Sequence, residues 1–406
     1  MTDIYIVRHG ETTSNRDGLW QGITDSELTA TGEEQVKRLA ARLEQARFDA
    51  VIASDLGRTR ATAAALNKAF EVSPAWREPD LGAWEGKTSE QVREMSGPDM
   101  ERFMRGEDVR LGGAGTLSEA ATRLIGAYHD LIAAVGPDGT ALAVTHGLAI
   151  AVLTGVLFGT RFPNPLAMAS NTGLLRLTSV AGSDRLHVHN DITHLAEAPI
   201  SHGRGTEVVF IRHGQTFGNL EDRWQGQQDG ALTDEGRAQA KAAVAALPKL
   251  DALYTSRLGR AVETAEIVGS GLGLTPTVVD GVEELAFGDW ENLTTDEIRA
   301  TDPEGAHRFF ELGEDITRGG SGETWAELKA RVAAAARGLA MRHKGQRIGV
   351  VSHGGATRAL ANQVLASDFS TRHAIAPMRN TAYATFEVGS EMVRILHWNI
   401  APHLEM

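Results

Sequence analysis

Apolar residues follow two patterns that alternate along the chain. Continuous runs such as IYIV (residues 4–7) and VVFI (208–211) predict strands that are buried on both faces. Residues 28–45 instead repeat apolar side chains at the helical period, on one face from Val36 to Leu43. Short strands that alternate with helices indicate an α/β fold, with a mostly parallel sheet and helices on both faces.

The same series of short motifs occurs twice, in the same order. Three of the pairs are VRHGETTSN (7–15) with IRHGQTFGN (211–219), SDLGRTRATAA (54–64) with SRLGRAVETAE (256–266), and AVTHG (143–147) with VVSHG (350–354). Repetition of this length predicts duplicated domains. We place them at 1–197 and 206–406, joined by a linker over 196–206 that is rich in small residues, Pro and Gly.

Composition narrows the classes of function. The chain has 406 residues, 42% of them apolar, and its 40 basic and 53 acidic residues give a net charge of −13. The electric field of this negative charge repels nucleic acid and anionic membranes, so neither is an expected partner. An anionic substrate therefore needs a local cationic pocket. The absence of cysteine excludes disulfides, thiolate catalysis and Cys-ligated zinc. Without an apolar run of about 18 residues or room for a signal peptide, we expect a cytoplasmic protein.

Polar residues suited to phosphate follow the ends of the predicted strands in both halves. They are Arg8, His9, Arg58 and His146 in the first half, and Arg212, His213, Arg260 and His353 in the second. Ligands of parallel sheets lie beyond the carboxyl ends of the strands, so each set should form one cationic pocket. Arginine matches phosphate oxygens, and a neutral imidazole can attack phosphorus to give a phosphohistidine. A carboxylic acid can then protonate the leaving alkoxide, and no metal or cofactor is expected.

The motifs RHGET..N and RHGQT..N, S.LGR...TA, E..(L/F)G.WE and (T/S)HG stand in this order in both halves. Because of these four motifs, essentially the whole chain resembles the histidine phosphatase superfamily, which has the phosphoglycerate-mutase-like fold. The resemblance implies His9 and His213 as nucleophiles and Glu78 and Glu284 as proton donors. It also implies a phosphoryl-binding set in each half: Arg8, Asn15, Arg58 and His146, then Arg212, Asn219, Arg260 and His353.

Three departures from the family pattern fall in the first half. Pro79 follows the proton donor and removes a backbone N–H beside it. Leu148 follows THG where Gly355 follows SHG, and the run GGSGET (319–324) reads GGAGTL at 112–117. We expect these changes to affect substrate contacts in the first half rather than the phosphoryl chemistry.

Several features have a second interpretation. HVHND (187–191) resembles a metal-ligand run, although a late strand suits it better, and GSGLGL (269–274) suits a helix end better than a nucleotide loop. Asn15 and Asn219 can close a turn instead of binding phosphate. Trp20 and Trp224 either line the pocket or pack beside it.

The predicted function is hydrolysis of a small phosphorylated metabolite, such as a sugar phosphate, a phosphoglycerate-like compound or a biosynthetic phosphate ester, at two sites. One alternative is a phosphoglycerate-type mutase, and another is one active domain beside a binding or structural one. Mutases of the superfamily carry an aromatic residue before the matched Asn, where this chain has Ser14 and Gly218. The segments predicted to cover the pockets, about 89–116 and 295–324, are modest in length. Both features favour hydrolysis; the oligomeric state stays open.

Overall fold

The computed structural model describes residues 1–160, 162–180, 182–195, 205–390 and 392–404. The chain forms two compact units, Met1–Ala198 and Pro199–Met406, here called unit 1 and unit 2. Residues 196–204 of the predicted linker lie outside the described residues, and Thr206 is already the first residue of a strand. The proposed domain limits stay 1–197 and 206–406.

Unit 1 has a six-stranded sheet. Its strands are β1 (Thr2–Arg8), β2 (Ala50–Ala53), β3 (Glu71–Val72), β4 (Thr140–Thr145), β5 (Leu174–Val180) and β6 (Ser183–Asp191). Its helices are α1 (Thr13–Arg16), α2 (Ala30–Arg42), α3 (Gly57–Ala65), α4 (Ser89–Met104), α5 (Leu117–Val135) and α6 (Gly147–Leu157). The strand order is β3-β2-β4-β1-β5-β6, parallel from β3 to β1 and antiparallel from β1 to β6.

Unit 2 repeats this order. Its strands are β7 (Thr206–Arg212), β8 (Ala252–Thr255), β9 (Thr277–Val278), β10 (Arg347–Ser352), β11 (Tyr383–Val388) and β12 (Val393–Ile400). Its helices are α7 (Phe217–Leu220), α8 (Asp234–Ala246), α9 (Gly259–Leu272), α10 (Thr295–Thr301), α11 (Pro303–Ala306), α12 (Trp325–Arg342) and α13 (Gly354–Val364). The order β9-β8-β10-β7-β11-β12 is parallel from β9 to β7 and antiparallel beyond it.

Helices cover both faces of each sheet, which confirms the predicted fold class. In unit 1, Val7 and Val144 on one face pack with Leu39 of α2 and Ala63 of α3 in a single buried cluster. Ile6 is buried on the opposite face, where α5 and α6 lie against β1 and each other. Burial on both faces explains why β1 and β4 read as continuous apolar runs.

Threonines begin the main helices at equivalent places in the two units. Thr116 caps α5 and Thr324 caps α12, and each accepts a hydrogen bond from the amide of a glutamate three residues on. Their equivalence shows that GGAGT aligns with GGSGET by omission of one residue. Unit 1 therefore has no counterpart of Glu323, which in unit 2 binds Arg331 at 2.7 Å.

Two glycine- and histidine-rich stretches have structural roles. The predicted helix end within GSGLGL is confirmed, because α9 stops at Leu272 and Gly273 takes the left-handed conformation. HVHND lies in β6: His187 bonds Thr178, His189 bonds Ala167 O, and Asp191 pairs with Arg42. Across the ranges described above, no three His, Cys, Asp or Glu side chains form a metal-binding group. In those same ranges no helix has the length and apolar character of a membrane span.

Candidate active sites

The first histidine of each unit follows the central strand. His9 and His213 are buried, and their Nδ1 atoms lie 2.7 Å from Gly10 O and Gly214 O. A carbonyl only accepts, so Nδ1 carries the proton and Nε2 keeps its lone pair. Burial is the main cause that holds the pKa of both imidazoles well below the ordinary value, and the neighbouring arginines add to it. Both rings are therefore neutral near pH 7, as a nucleophile requires.

A second histidine faces the first in each unit. The ring centroids of His9 and His146 are 5.3 Å apart, and those of His213 and His353 are also 5.3 Å apart. Each second histidine directly follows a strand, β4 or β10, and is the N-cap residue of the next helix, α6 or α13. Its Nε2 bonds a buried serine, Ser54 at 2.8 Å or Ser256 at 2.9 Å. The site prediction omitted these serines, although the repeated S.LGR motif contains them.

Four arginines supply the positive charge. Arg58 and Arg260 are buried near the first residue of α3 and α9, and backbone carbonyls of an earlier loop hold each guanidinium at 2.6–2.9 Å. Arg8 and Arg212 donate to the carbonyls of Ala169 and Met378. Burial lowers the pKa of all four guanidinium groups, and the charges of Glu78 in unit 1 and Glu284 in unit 2 oppose this effect.

Some donor atoms at these sites are buried and have no protein partner. Among the described residues they are Nε of Arg8, Arg212 and Arg260, and Nδ1 of His353 also lacks a partner there, whether its tautomer makes it a donor or an acceptor. The atoms of unit 1 that correspond to Arg260 Nε and His353 Nδ1 are hydrogen-bonded to each other: Arg58 Nε donates to His146 Nδ1 at 3.2 Å. An unsatisfied buried donor costs about 1–3 kcal/mol, so its retention favours a site that binds an anion.

The predicted proton donors of the two units share one kind of hydrogen-bond partner and differ in the other. Glu78 is buried, and its two oxygens accept from the amides of Leu148 (3.0 Å) and Ala149 (2.7 Å) at the start of α6. Burial raises the pKa of Glu78, and the two amide hydrogen bonds oppose that rise. Glu284 is half-buried, with Oε2 accepting from Gly355 N at 2.9 Å and Oε1 from Leu285 N at 2.8 Å.

The predicted asparagines close a turn. Asn15 Oδ1 accepts from Thr12 N (3.3 Å) and from Nδ2 of Asn171 (3.0 Å), and Asn219 repeats this with Thr216 and Asn380. Asn171 also donates to His9 O at 3.0 Å, so it joins the turn to the backbone that follows β1. Asn171 and Asn380 were missed, although the repeated NT pair marks them. Phosphate binding by Asn15 and Asn219 stays a proposal.

Trp20 and Trp224 pack in aromatic clusters. Trp20 lies edge-on to Trp84 at 5.7 Å and to Phe103 at 6.0 Å, and its Nε1 donates to Ser89. Trp224 lies 4.9 Å from Phe287 and makes three further ring contacts. The structure thus shows these tryptophans in the packing role.

Comparison with known proteins agrees with this arrangement. The model of the histidine phosphatase superfamily (branch 1) matches residues 4–192 and 208–401. Phosphoglycerate mutase-like protein 4 of Arabidopsis thaliana is 32% identical over 204 residues, which are 49% of this chain and 87% of that protein. A metal-independent phosphoserine phosphatase of the same plant is 35% identical over 160 residues, covering 38% of this chain and 67% of the relative.

Solved structures give similar matches. A mycobacterial glucosyl-3-phosphoglycerate phosphatase is 31% identical, with a TM-score of 0.43, and covers 48% of this chain and 98% of that one. The family match spans nearly the whole of both units, including every residue of the two histidine–arginine sets. The chain therefore belongs to the histidine phosphatase superfamily, branch 1, with two tandem domains of that family.

Proposed function

We propose that the chain is a phosphomonoester hydrolase with one active site in each unit, acting through a phosphohistidine. One observation carries this proposal: in each unit a neutral imidazole with a free Nε2 lies near the buried guanidinium group of Arg8 or Arg212, whose Nε–H has no partner among the described residues. A phosphoryl dianion supplies both the missing negative charge and the missing acceptors. The sites need no other cation for this purpose.

The proposed reaction has two steps. Nε2 of His9 or His213 attacks phosphorus, the ester P–O bond breaks, and the leaving oxygen takes a proton from Glu78 or Glu284. Water then gives a proton back to the carboxylate and attacks the phosphohistidine, releasing inorganic phosphate and the neutral imidazole. The arginines and the second histidine hold the phosphoryl oxygens throughout, so most of the catalysis is positioning and charge stabilisation.

The residue before the matched asparagine favours hydrolysis over transfer of the phosphoryl group back to the substrate. A Cβ atom added to Gly218 would lie 2.6 Å from Gln225 Cγ, so unit 2 has no space for the aromatic residue expected of a mutase. Gln225 is itself fixed by the hydroxyl of Thr216 at 2.7 Å. Ser14 occupies this position in unit 1. The lack of an aromatic residue at this position in both units supports access of water to the proposed phosphohistidine.

The proposed substrate is a small phosphorylated metabolite. The relatives include a phosphoserine phosphatase and a phosphoglycerate mutase-like protein. From their names we propose for this chain only the class of substrate, a small phosphate ester. Cytoplasmic localisation remains a prediction from the sequence.

Phosphate release from a metabolite panel, measured with a chelator present, tests the proposal. We expect wild type, His9→Ala and His213→Ala to release phosphate and the double variant to be inactive. Acid-labile, alkali-stable label from a ³²P-ester should appear on one histidine in each single variant. Loss of activity on metal removal would refute the mechanism. Isomerised product without phosphate would establish the mutase instead, and labelling of only one unit would support the single-active-domain alternative.

A further inference from the structure

The residue two positions after the second histidine differs between the units and lies against the proton donor. In unit 2 it is Gly355, whose amide donates to Glu284 Oε2 at 2.9 Å. A Cβ atom on Gly355 would lie 2.3 Å from Glu284 Oε1 and 3.0 Å from its Cδ. Real Cβ atoms essentially never approach this closely, so any side chain at residue 355 would force the Glu284 carboxylate to shift.

Unit 1 has Leu148 at the equivalent place. A carboxylate in the position of Glu284 would collide with the Leu148 Cβ atom. Glu78 keeps the equivalent amide bond, from Leu148 N at 3.0 Å, but its second oxygen accepts from Ala149 N at 2.7 Å, one residue further into α6. It is also more enclosed than Glu284, being only 8% exposed.

A second difference acts on the same carboxylate. Glu284 Oε1 accepts from the amide of the next residue, Leu285, at 2.8 Å. The next residue after Glu78 is Pro79, which has no N–H and cannot make this bond. Two independent substitutions thus remove from unit 1 the open space beside residue 355 and the Leu285 amide bond, whereas the amide bond from residue 355 has its counterpart in Leu148.

We infer that Leu148 and Pro79 hold the proton donor of unit 1 away from the leaving-group position, so that the two sites hydrolyse different phosphate esters. The inference rests on the proposed function. With its acid withdrawn, unit 1 acts on esters of acidic hydroxyl groups, such as phenols and enols. Unit 2, with Glu284 in place, also acts on esters of aliphatic alcohols.

The chemistry of the leaving group gives the reason. When the P–O bond breaks, an aliphatic oxygen would depart as a strongly basic alkoxide, so it needs a proton from the carboxylic acid as it leaves. A nitrophenolate is stable as the anion and departs without that proton. Removing effective general-acid catalysis costs about 10²–10⁴-fold, and this loss falls on the aliphatic ester alone.

The test measures the ratio of kcat/KM for p-nitrophenyl phosphate to kcat/KM for glycerol phosphate in the full chain. His213→Ala reports on unit 1 and His9→Ala on unit 2. We expect the ratio for unit 1 to exceed that for unit 2 by about 100-fold or more. Adding Pro79→Leu with Leu148→Gly to His213→Ala should lower the unit 1 ratio. Adding Gly355→Ala to His9→Ala should raise the unit 2 ratio by at least about 10-fold.

The matched control is Pro79→Leu with Leu148→Ala, which keeps the Cβ atom and should keep the high ratio of unit 1. A variant that merely loosens the fold lowers both activities by the same factor and leaves the ratio unchanged. Equal ratios in the two units, or equal effects of Leu148→Gly and Leu148→Ala, would overturn this inference while leaving the proposed function intact. Absence of p-nitrophenyl phosphate hydrolysis in both single-histidine variants would overturn both.

Discussion

One buried hydroxyl fixes the turn that carries His213, the proposed nucleophile of unit 2, and its removal gives a quantitative test of the site geometry. Thr264 is fully buried in α9, where its Oγ1 donates to Arg260 O at 2.7 Å and accepts from Gly214 N at 3.1 Å. The carbonyl of Gly214 in turn binds His213 Nδ1 at 2.7 Å. Thr264→Val keeps the shape of the side chain and removes both hydrogen bonds.

The size of the effect follows from what each bond leaves behind. Loss of the bond to the helix carbonyl costs about 1 kcal/mol, because that oxygen already takes part in the helix. Loss of the acceptor leaves the buried Gly214 N–H unsatisfied, which adds about 1–3 kcal/mol. Thr357 is a matched control, since it is equally buried and its hydroxyl also donates four residues back, to His353 O at 2.9 Å. Thr357→Val should therefore lower the free energy of unfolding by only about 1 kcal/mol.

Urea unfolding of the full chain measures the free energy of unfolding of both variants, and both substitutions lie in unit 2. Thr264→Val should be less stable than Thr357→Val by about 1–3 kcal/mol. In the His9→Ala background, Thr264→Val should also lower kcat, since the Gly214 carbonyl no longer holds the imidazole firmly. Equal destabilisation by the two substitutions would refute the assignment of the Gly214 amide to Thr264.

Two further predictions concern stability. The pKa of the two buried histidines in each unit is depressed by folding, so the unfolded chain binds more protons below about pH 6.5. Stability should therefore fall by about 1.4 kcal/mol per pH unit for each imidazole as the pH drops below that value, and an unchanged urea midpoint at pH 5 would contradict this. Gly236→Ala should destabilise unit 2, because its Cβ atom would lie 2.1 Å from Gln215 O. Gly338→Ala should stabilise unit 2 by about 0.5–1 kcal/mol, because residue 338 lies in α12 with open space around it. The Tm of each variant measures both effects.

The central strands and the arrangement of the sites could be predicted because their signals are local. A strand buried on both faces reads as one apolar run, and β1, β4, β7 and β10 all do so. The edge strands β3 and β9 could not be predicted in this way, because each has two residues and both are exposed. The direction of the last two strands of each sheet depends on pairing partners, which apolar runs do not specify.

The residues that position the site were harder to predict than those proposed to act in it. Ser54, Thr62 and Asn171 bond His146, the Gly10 amide and the His9 carbonyl. Serine, threonine and asparagine also suit caps and turns, so their sequence context does not reveal a distant partner. The different second partners of Glu78 and Glu284 likewise needed the structure, because Ala149 lies far along the chain from Glu78.

Comparison of the two units separates charges that position the site from charges that contact substrate. In unit 1 Asp55 pairs with Arg77, with Nε and Oδ1 at 2.7 Å, and in unit 2 Arg257 pairs with Glu283 at 3.3 Å. Each pair joins the residue after the buried serine to the residue before the proposed proton donor, with the two signs exchanged. Coulomb attraction depends on the product of the charges, so the exchange preserves the contact. A charge that faced the phosphoryl dianion would lose its attraction on reversal, so we infer that these pairs hold the two loops together.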